Sequence, residues 1–170
     1  KSSNEEFGLS FEELQLYLSR MRLEVQAMSL VPSSRPPLLD ARCGSYLTYR
    51  HFIECGETRN RLQLVNRPER AETYNALHGL ATQLIDPIIE YFGAIELTYG
   101  FCSHELSRHI TARVAPRLDQ HAAEELTKTG QKICSRGGAA CDFIVKDEDM
   151  LEVARWIASN LPFDRMYFYG

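Results

Sequence analysis

At 170 residues the chain has room for one domain with a single core and an appended element. A hydrophobic fraction of 44% and a charged fraction of 25% are ordinary for a globular protein, and a formal net charge of -4 gives no indication of nucleic acid as a partner. No apolar run approaches the roughly 20 residues needed to span a bilayer, so no membrane association is expected, and no signal peptide is visible.

The chain begins at Lys1 rather than Met, which reads as a piece of a longer polypeptide. Ser10-Phe11-Glu12-Glu13 forms a capping box, in which the serine hydroxyl and Glu13 serve each other's backbone amides. Phe11, Leu14, Leu18, Met21, Val25 and Met28 follow at alternating three- and four-residue spacing, one stripe of a helix. That stripe is expected to pack on its own domain, on a neighbouring domain or on a protein partner; the repeat is short for a coiled-coil dimer. Pro32, Pro36 and Pro37 end the helix and make a stiff linker. Residues 1–37 therefore read as an amphipathic helix and linker, and residues 38–170 as the main domain.

Tyr46 to Ile53 reads as a strand or as a helical turn, and the pattern does not choose. Glu69 to Phe92 is the clearest helix, with Leu77, Leu80, Leu84, Ile88 and Tyr91 on its apolar stripe. Pro87 should kink or restart it, and Gly93 should end it. Ile95, Leu97 and Tyr99 alternate with polar residues and predict a strand. Ser103 to His109 predicts a short helix, and Glu124, Glu125 and Lys128 fall in a polar helical or loop segment. Ala139 to Val145 reads as a second, largely buried strand. Asp147-Glu148-Asp149 opens a helix whose apolar side is Met150, Val153, Ile157 and Leu161. Arg165 to Tyr169 is aromatic and β-prone and reads as a third strand. Helices and strands interleave without a strict βαβ rhythm, so the class is α+β, a small mostly antiparallel sheet flanked by helices.

Cys43, Cys55, Cys102, Cys134 and Cys141 are an odd, scattered set, as expected of reduced thiols in a cytoplasmic protein. Cys134 and Cys141 are spaced too widely for a metal knuckle. His104 and His109 are five apart and would lie on different helix faces, which speaks against joint ligation. His51 and His78 read as structural. Cys102 would be a nucleophile only with a histidine base nearby; His104 is close in sequence, but nothing else points to a cysteine enzyme.

From Tyr46 to Gly170 the chain resembles the zinc D-alanyl-D-alanine carboxypeptidase family, whose fold is shared with the hedgehog signalling domain. The likeness rests on Leu47-Thr-Tyr-Arg-His-Phe52, on Leu77 to Gly93 with its Leu84-Ile-Asp-Pro87 step, on Glu96-Leu-Thr-Tyr-Gly-Phe-Cys-Ser-His-Glu-Leu106, and on Ala154-Arg-Trp-Ile-Ala-Ser-Asn-Leu-Pro-Phe-Asp164. The resemblance implies a carboxypeptidase/hedgehog-like fold carrying an extra N-terminal helix, a Zn2+ cofactor, and a peptide or amide substrate.

The family's metal motif is Ser-x-His-x-x-Gly-x-Ala-x-Asp, with a later histidine as third ligand. His121, preceded by Gln120, matches its first ligand, with Asp119 near the usual serine. Gly138, Ala140 and Asp142 match its second half, so the resemblance implies His121 and Asp142 as metal ligands. It places the third histidine and the catalytic carboxylate beyond Gly170. A catalytic zinc takes three such nitrogen and oxygen donors and keeps a fourth position open for water. Two departures stand out. Gly138 follows His121 by 17 positions, against three in the motif, so a 14-residue insertion must loop out without moving the ligands. Cys102 occupies the position where the family carries an arginine, and Arg108, Arg113 and Arg117 are the candidates to replace that charge.

Without a metal, His121 would be an ordinary hydrogen-bonded histidine. Asp142, in an apolar strand, would then need an arginine, with Arg136, Arg155 and Arg165 as candidates. The departures also leave open a second reading: a catalytically inactive peptidase-fold interaction module of a larger bacterial protein, of a DNA-modification or defence kind.

Overall fold

The computed structural model describes residues 36–110 and 120–169. The Ser10–Glu13 capping box, the Phe11–Met28 stripe, Arg113, Arg117 and Asp119 lie outside the described residues.

The ambiguous stretch after Tyr46 turns out to be both things in sequence. Thr48 makes an isolated antiparallel bridge with Arg42, and helix α1 follows over Tyr49–Ile53. His51 is structural: its Nδ1 accepts the Thr48 amide at 3.0 Å and caps the helix it belongs to. Helix α2 spans Glu57–Leu62.

The long helix runs in three registers. Helix α3 covers Ala71–Leu80, a π-helical turn covers Ala81–Ile85, and α4 covers Asp86–Phe92. Pro87 has no N–H for the carbonyl one turn back. The backbone responds by widening ahead of the proline rather than breaking, which is how a π-bulge absorbs a misfit. Thr73, Tyr74, Leu77, Ala81, Ile85 and Ile88 are buried along the run. Tyr91, expected on that stripe, is exposed, and its ring stacks on Trp156 at 4.5 Å between centroids. Gly93 ends the helix at φ 92°, in the left-handed range that glycine enters freely.

Strand β1 (Ile95–Tyr99) pairs antiparallel with β2 (Asp142–Val145), and among the described residues these two make the sheet. Ile95 faces Val145 and Leu97 faces Phe143; an irregularity then brings Asp142 opposite Tyr99. The four-residue helix α5 (His104–Ser107) is capped by the Ser103 hydroxyl, which accepts the Leu106 amide. Helix α6 (Met150–Asn160) starts at Asp149, whose carboxylate accepts the Leu151 amide. Its Val153 and Ile157 are buried in one cluster with Phe52, Leu77, Ile85, Ile88 and Phe101. The architecture is α+β with a small antiparallel sheet. No helix among the described residues is long and apolar enough to cross a membrane.

Two strand expectations are corrected. The second strand begins at Asp142, not Ala139. Arg165–Tyr169 runs without ladder pairing, and Met166, Tyr167, Phe168 and Tyr169 are exposed. Aromatic and β-branched content favours a strand only where a neighbouring strand supplies the ladder and a packed face.

Candidate metal and substrate site

The site is built where β1 ends. Gly100 passes so close to α1 that a Cβ there would overlap the Phe52 carbonyl oxygen and press on Cys55 Sγ. The Phe101 amide donates to that same Phe52 oxygen at 2.8 Å. Asn66, buried, then fastens the turn from three sides. Its Nδ2 donates to the carbonyls of Ile53 (2.7 Å) and Phe101 (2.8 Å), and its Oδ1 accepts the Ser103 amide at 2.8 Å.

His121 lies in a short 3-10 turn, Gln120–Ala122, and is attached to this corner twice. Its carbonyl accepts the Cys102 amide at 2.9 Å. Its Nδ1 lies 2.8 Å from the Gly100 carbonyl oxygen. A carbonyl oxygen only accepts, so Nδ1 carries the proton. In the neutral ring Nε2 therefore presents its lone pair. That nitrogen faces Asp142 Oδ1 at 3.7 Å. The Tyr99 ring packs on the imidazole at 4.2 Å between centroids.

The 3.7 Å gap exceeds hydrogen-bond range. Two donors at about 2.0–2.2 Å from a tetrahedral ion stand about 3.4 Å apart, so the pair has close to the span that one such ion would bridge. A ligating imidazole ordinarily gives its other N–H to a carbonyl or carboxylate, as His121 does here. Asp142 is not the buried carboxylate expected from its apolar neighbours: its side chain is 52% exposed, because it starts β2 at the sheet irregularity. The arginines considered as its partner are engaged elsewhere: Arg136 with Asp164, Arg155 with Glu152, and Arg165 with the Tyr167 hydroxyl. Among the described residues, no group of three or more histidine, cysteine, aspartate or glutamate side chains is arranged to hold a metal.

His121 and Asp142 border a cavity of about 780 Å³, together with Cys55, Glu57, Arg59 and Gln120. Burial raises the Cys55 thiol to about 11, and it raises the Cys141 thiol further, with Asp142 adding to the effect. Both thiols are therefore protonated at neutral pH, which fits neither with a thiolate nucleophile. Cys102 is buried. Arg108, one candidate to replace the missing arginine, is exposed and bonded to His104 Nε2 at 3.2 Å. Arg59, on α2, and Arg165 both line the cavity; Arg59 pairs with Glu54 at 3.3 Å and keeps a buried Nε with no hydrogen-bond partner among the described residues. Sequence reading passed over Arg59 and Asn66. Neither stands in a local pattern, and each acquires its role from residues distant in the chain.

Comparison of the chain with protein-family models, with curated proteins and with solved structures gives no match.

Proposed function

We propose that this chain is a zinc-site domain of the D-alanyl-D-alanine carboxypeptidase kind, with a carboxypeptidase/hedgehog-like fold, that cleaves a peptide or related amide bond. One observation carries the reading. His121 Nε2 stands 3.7 Å from Asp142 Oδ1 while its Nδ1 is committed to the Gly100 carbonyl. The two atoms have close to the separation that one ion would bridge, on residues that border the cavity. The reading requires a third ligand and a catalytic carboxylate besides these two residues.

The metal, when bound, polarises a substrate carbonyl and lowers the pKa of a water molecule to about 7. The chain's own residues do the rest. Gly100 holds the His121 tautomer. The sheet presents Asp142 from a fixed end. Arg59, paired with Glu54, adds a guanidinium to the cavity wall. All five cysteines are free thiols, which supports a reducing, cytoplasmic setting.

The test is metal content and zinc titration of the full-length protein. The expected result is about one zinc per chain, lost in His121→Ala and in Asp142→Ala with circular dichroism unchanged. Folded wild-type protein that takes up no zinc refutes the reading. Zinc-free protein whose cellular role survives His121→Ala would be the interaction module instead.

A further inference from the structure

Between His121 and Gly138 the chain makes a detour, and the structure shows how that detour is closed. Residues 124–137 fold back on themselves. Leu126 bridges Lys132 antiparallel, the Thr127 amide donates to Gln131 O at 2.7 Å, and the Ile133 amide donates to Glu125 O at 3.1 Å. Cys134 anchors the returning limb and is fully buried.

One side chain crosses the base of this loop. Glu124 Oε1 accepts the Gly138 amide at 2.8 Å, and Glu124 Oε2 pairs with Lys132 Nζ at 2.7 Å. Gly137 makes room for it: at φ 69° and without a side chain, it leaves the space that a Cβ would take from Glu124 Oε1. The next residue reaches the other way. Glu125 is buried and accepts the amides of Glu69 and Arg70 and the Thr73 hydroxyl, at 3.1, 3.2 and 2.7 Å. Two consecutive carboxylates therefore tie the His121 segment to the start of α3 on one side and to the Asp142 approach on the other.

We propose that Glu124 is a positioning residue that closes the inserted loop at its base and thereby sets the separation of His121 and Asp142. The proposal rests on the reading of those two residues as metal ligands. Glu124 lies three positions after His121, and Gly138 four before Asp142. With the carboxylate bonded across the gap, the length of the loop no longer enters the ligand geometry. Without it, the tie that crosses the base of the loop is lost, and the Leu126–Lys132 bridge and the attachment of His121 to Gly100 are left to hold the two ligands together.

The test compares the wild type, Glu124→Ala, Glu124→Asp, Glu124→Gln and Lys132→Ala in the full polypeptide. Two quantities are read: hydrogen exchange of the Gly138 amide without metal, and the zinc dissociation constant by competition titration. Glu124→Ala is expected to speed Gly138 exchange at least ~10-fold and to weaken zinc about 10-fold, the loss typical of a group that orients a ligand. Glu124→Asp keeps the charge but shortens the reach, so it should loosen Gly138 in the same direction. It carries the test should the alanine variant fail to fold. Glu124→Gln keeps an oxygen for the Gly138 amide, and Lys132→Ala removes only an exposed partner. Both should stay within about two-fold of wild type. Unchanged Gly138 exchange or unchanged zinc affinity in Glu124→Ala overturns the proposal. Wild-type protein that takes no zinc overturns the metal-site reading instead, and Gly138 exchange then still decides whether Glu124 closes the loop.

Discussion

The run from Ala71 to Phe92 and the stretch from Gly100 to Asp142 are held by different forces. The helical run buries Leu77, Ile85 and Ile88 almost completely and is fixed by apolar contact. The described residues of the site-bearing stretch bury Phe101, Leu106 and Cys134 as well, but are further fastened by polar side chains reaching distant backbone: Asn66 to residues 53, 101 and 103, Glu125 to residues 69 and 70, Glu124 to Gly138, and His121 to Gly100. Apolar burial is roughly proportional to area and has no direction. A hydrogen bond fixes distance and angle. A helix needs only to be covered, whereas two ligands of one ion must be placed to a fraction of an ångström.

That contrast can be broken by experiment. The largest effects should come from Leu77→Ala and Asn66→Ala. Leu77→Ala leaves a cavity and should cost about 2–5 kcal/mol in urea unfolding. Its zinc affinity, measured on the folded fraction, should hold. Asn66→Ala strips partners from two carbonyls and one amide, at about 1–3 kcal/mol for each buried group, so a loss of about 3 kcal/mol is expected. Zinc binding should weaken with it, because Gly100 and His121 lose their support. Equal behaviour of the two variants in the zinc titration would erase the distinction.

Glu125→Ala should have a middle-sized effect. It removes the acceptor of two amides and a hydroxyl at the start of α3, worth about 1–2 kcal/mol. Urea unfolding measures that loss, and faster exchange of the Glu69 and Arg70 amides would locate it. Retained protection of those amides would show that water replaces the carboxylate.

The smallest effect is a pH dependence. Lys132, then the Gly138 amide, hold the Glu124 carboxyl below its ordinary value. A carboxyl depressed in the folded state contributes stability above its unfolded pKa of about 4.3, and this is lost as pH falls through the lower folded value. The wild-type urea midpoint should therefore drop more steeply than that of Glu124→Gln between about pH 5 and about pH 3. The difference should stay under about 1 kcal/mol for a pair this near the surface. Parallel curves would remove Glu124 from the acid response.

Much of the local structure was legible in the residues. Periodicity marked the long helix and α6, alternation marked β1, and Gly93 marked the helix end. Each is decided within a few residues of itself. Arg165–Tyr169 misled for the opposite reason: a strand is completed only by a partner from elsewhere, and among the described residues none pairs with it. The exposure of Asp142 was misread because the sheet irregularity at Leu97–Tyr99 lies on the other strand.

His121 and Asp142 could be singled out through the resemblance to the zinc carboxypeptidase motif, and the oversized loop between them as a departure from it. The sequence alone determined which groups are available and which stretches are helical, since both depend on side-chain chemistry and short-range periodicity. Only the tertiary structure decided which imidazole nitrogen faces outward, how the loop is closed, and that Asn66 and Arg59 belong to the site. Those outcomes depend on hydrogen bonds and cavity walls shared between residues tens of positions apart, and no local pattern encodes such contacts.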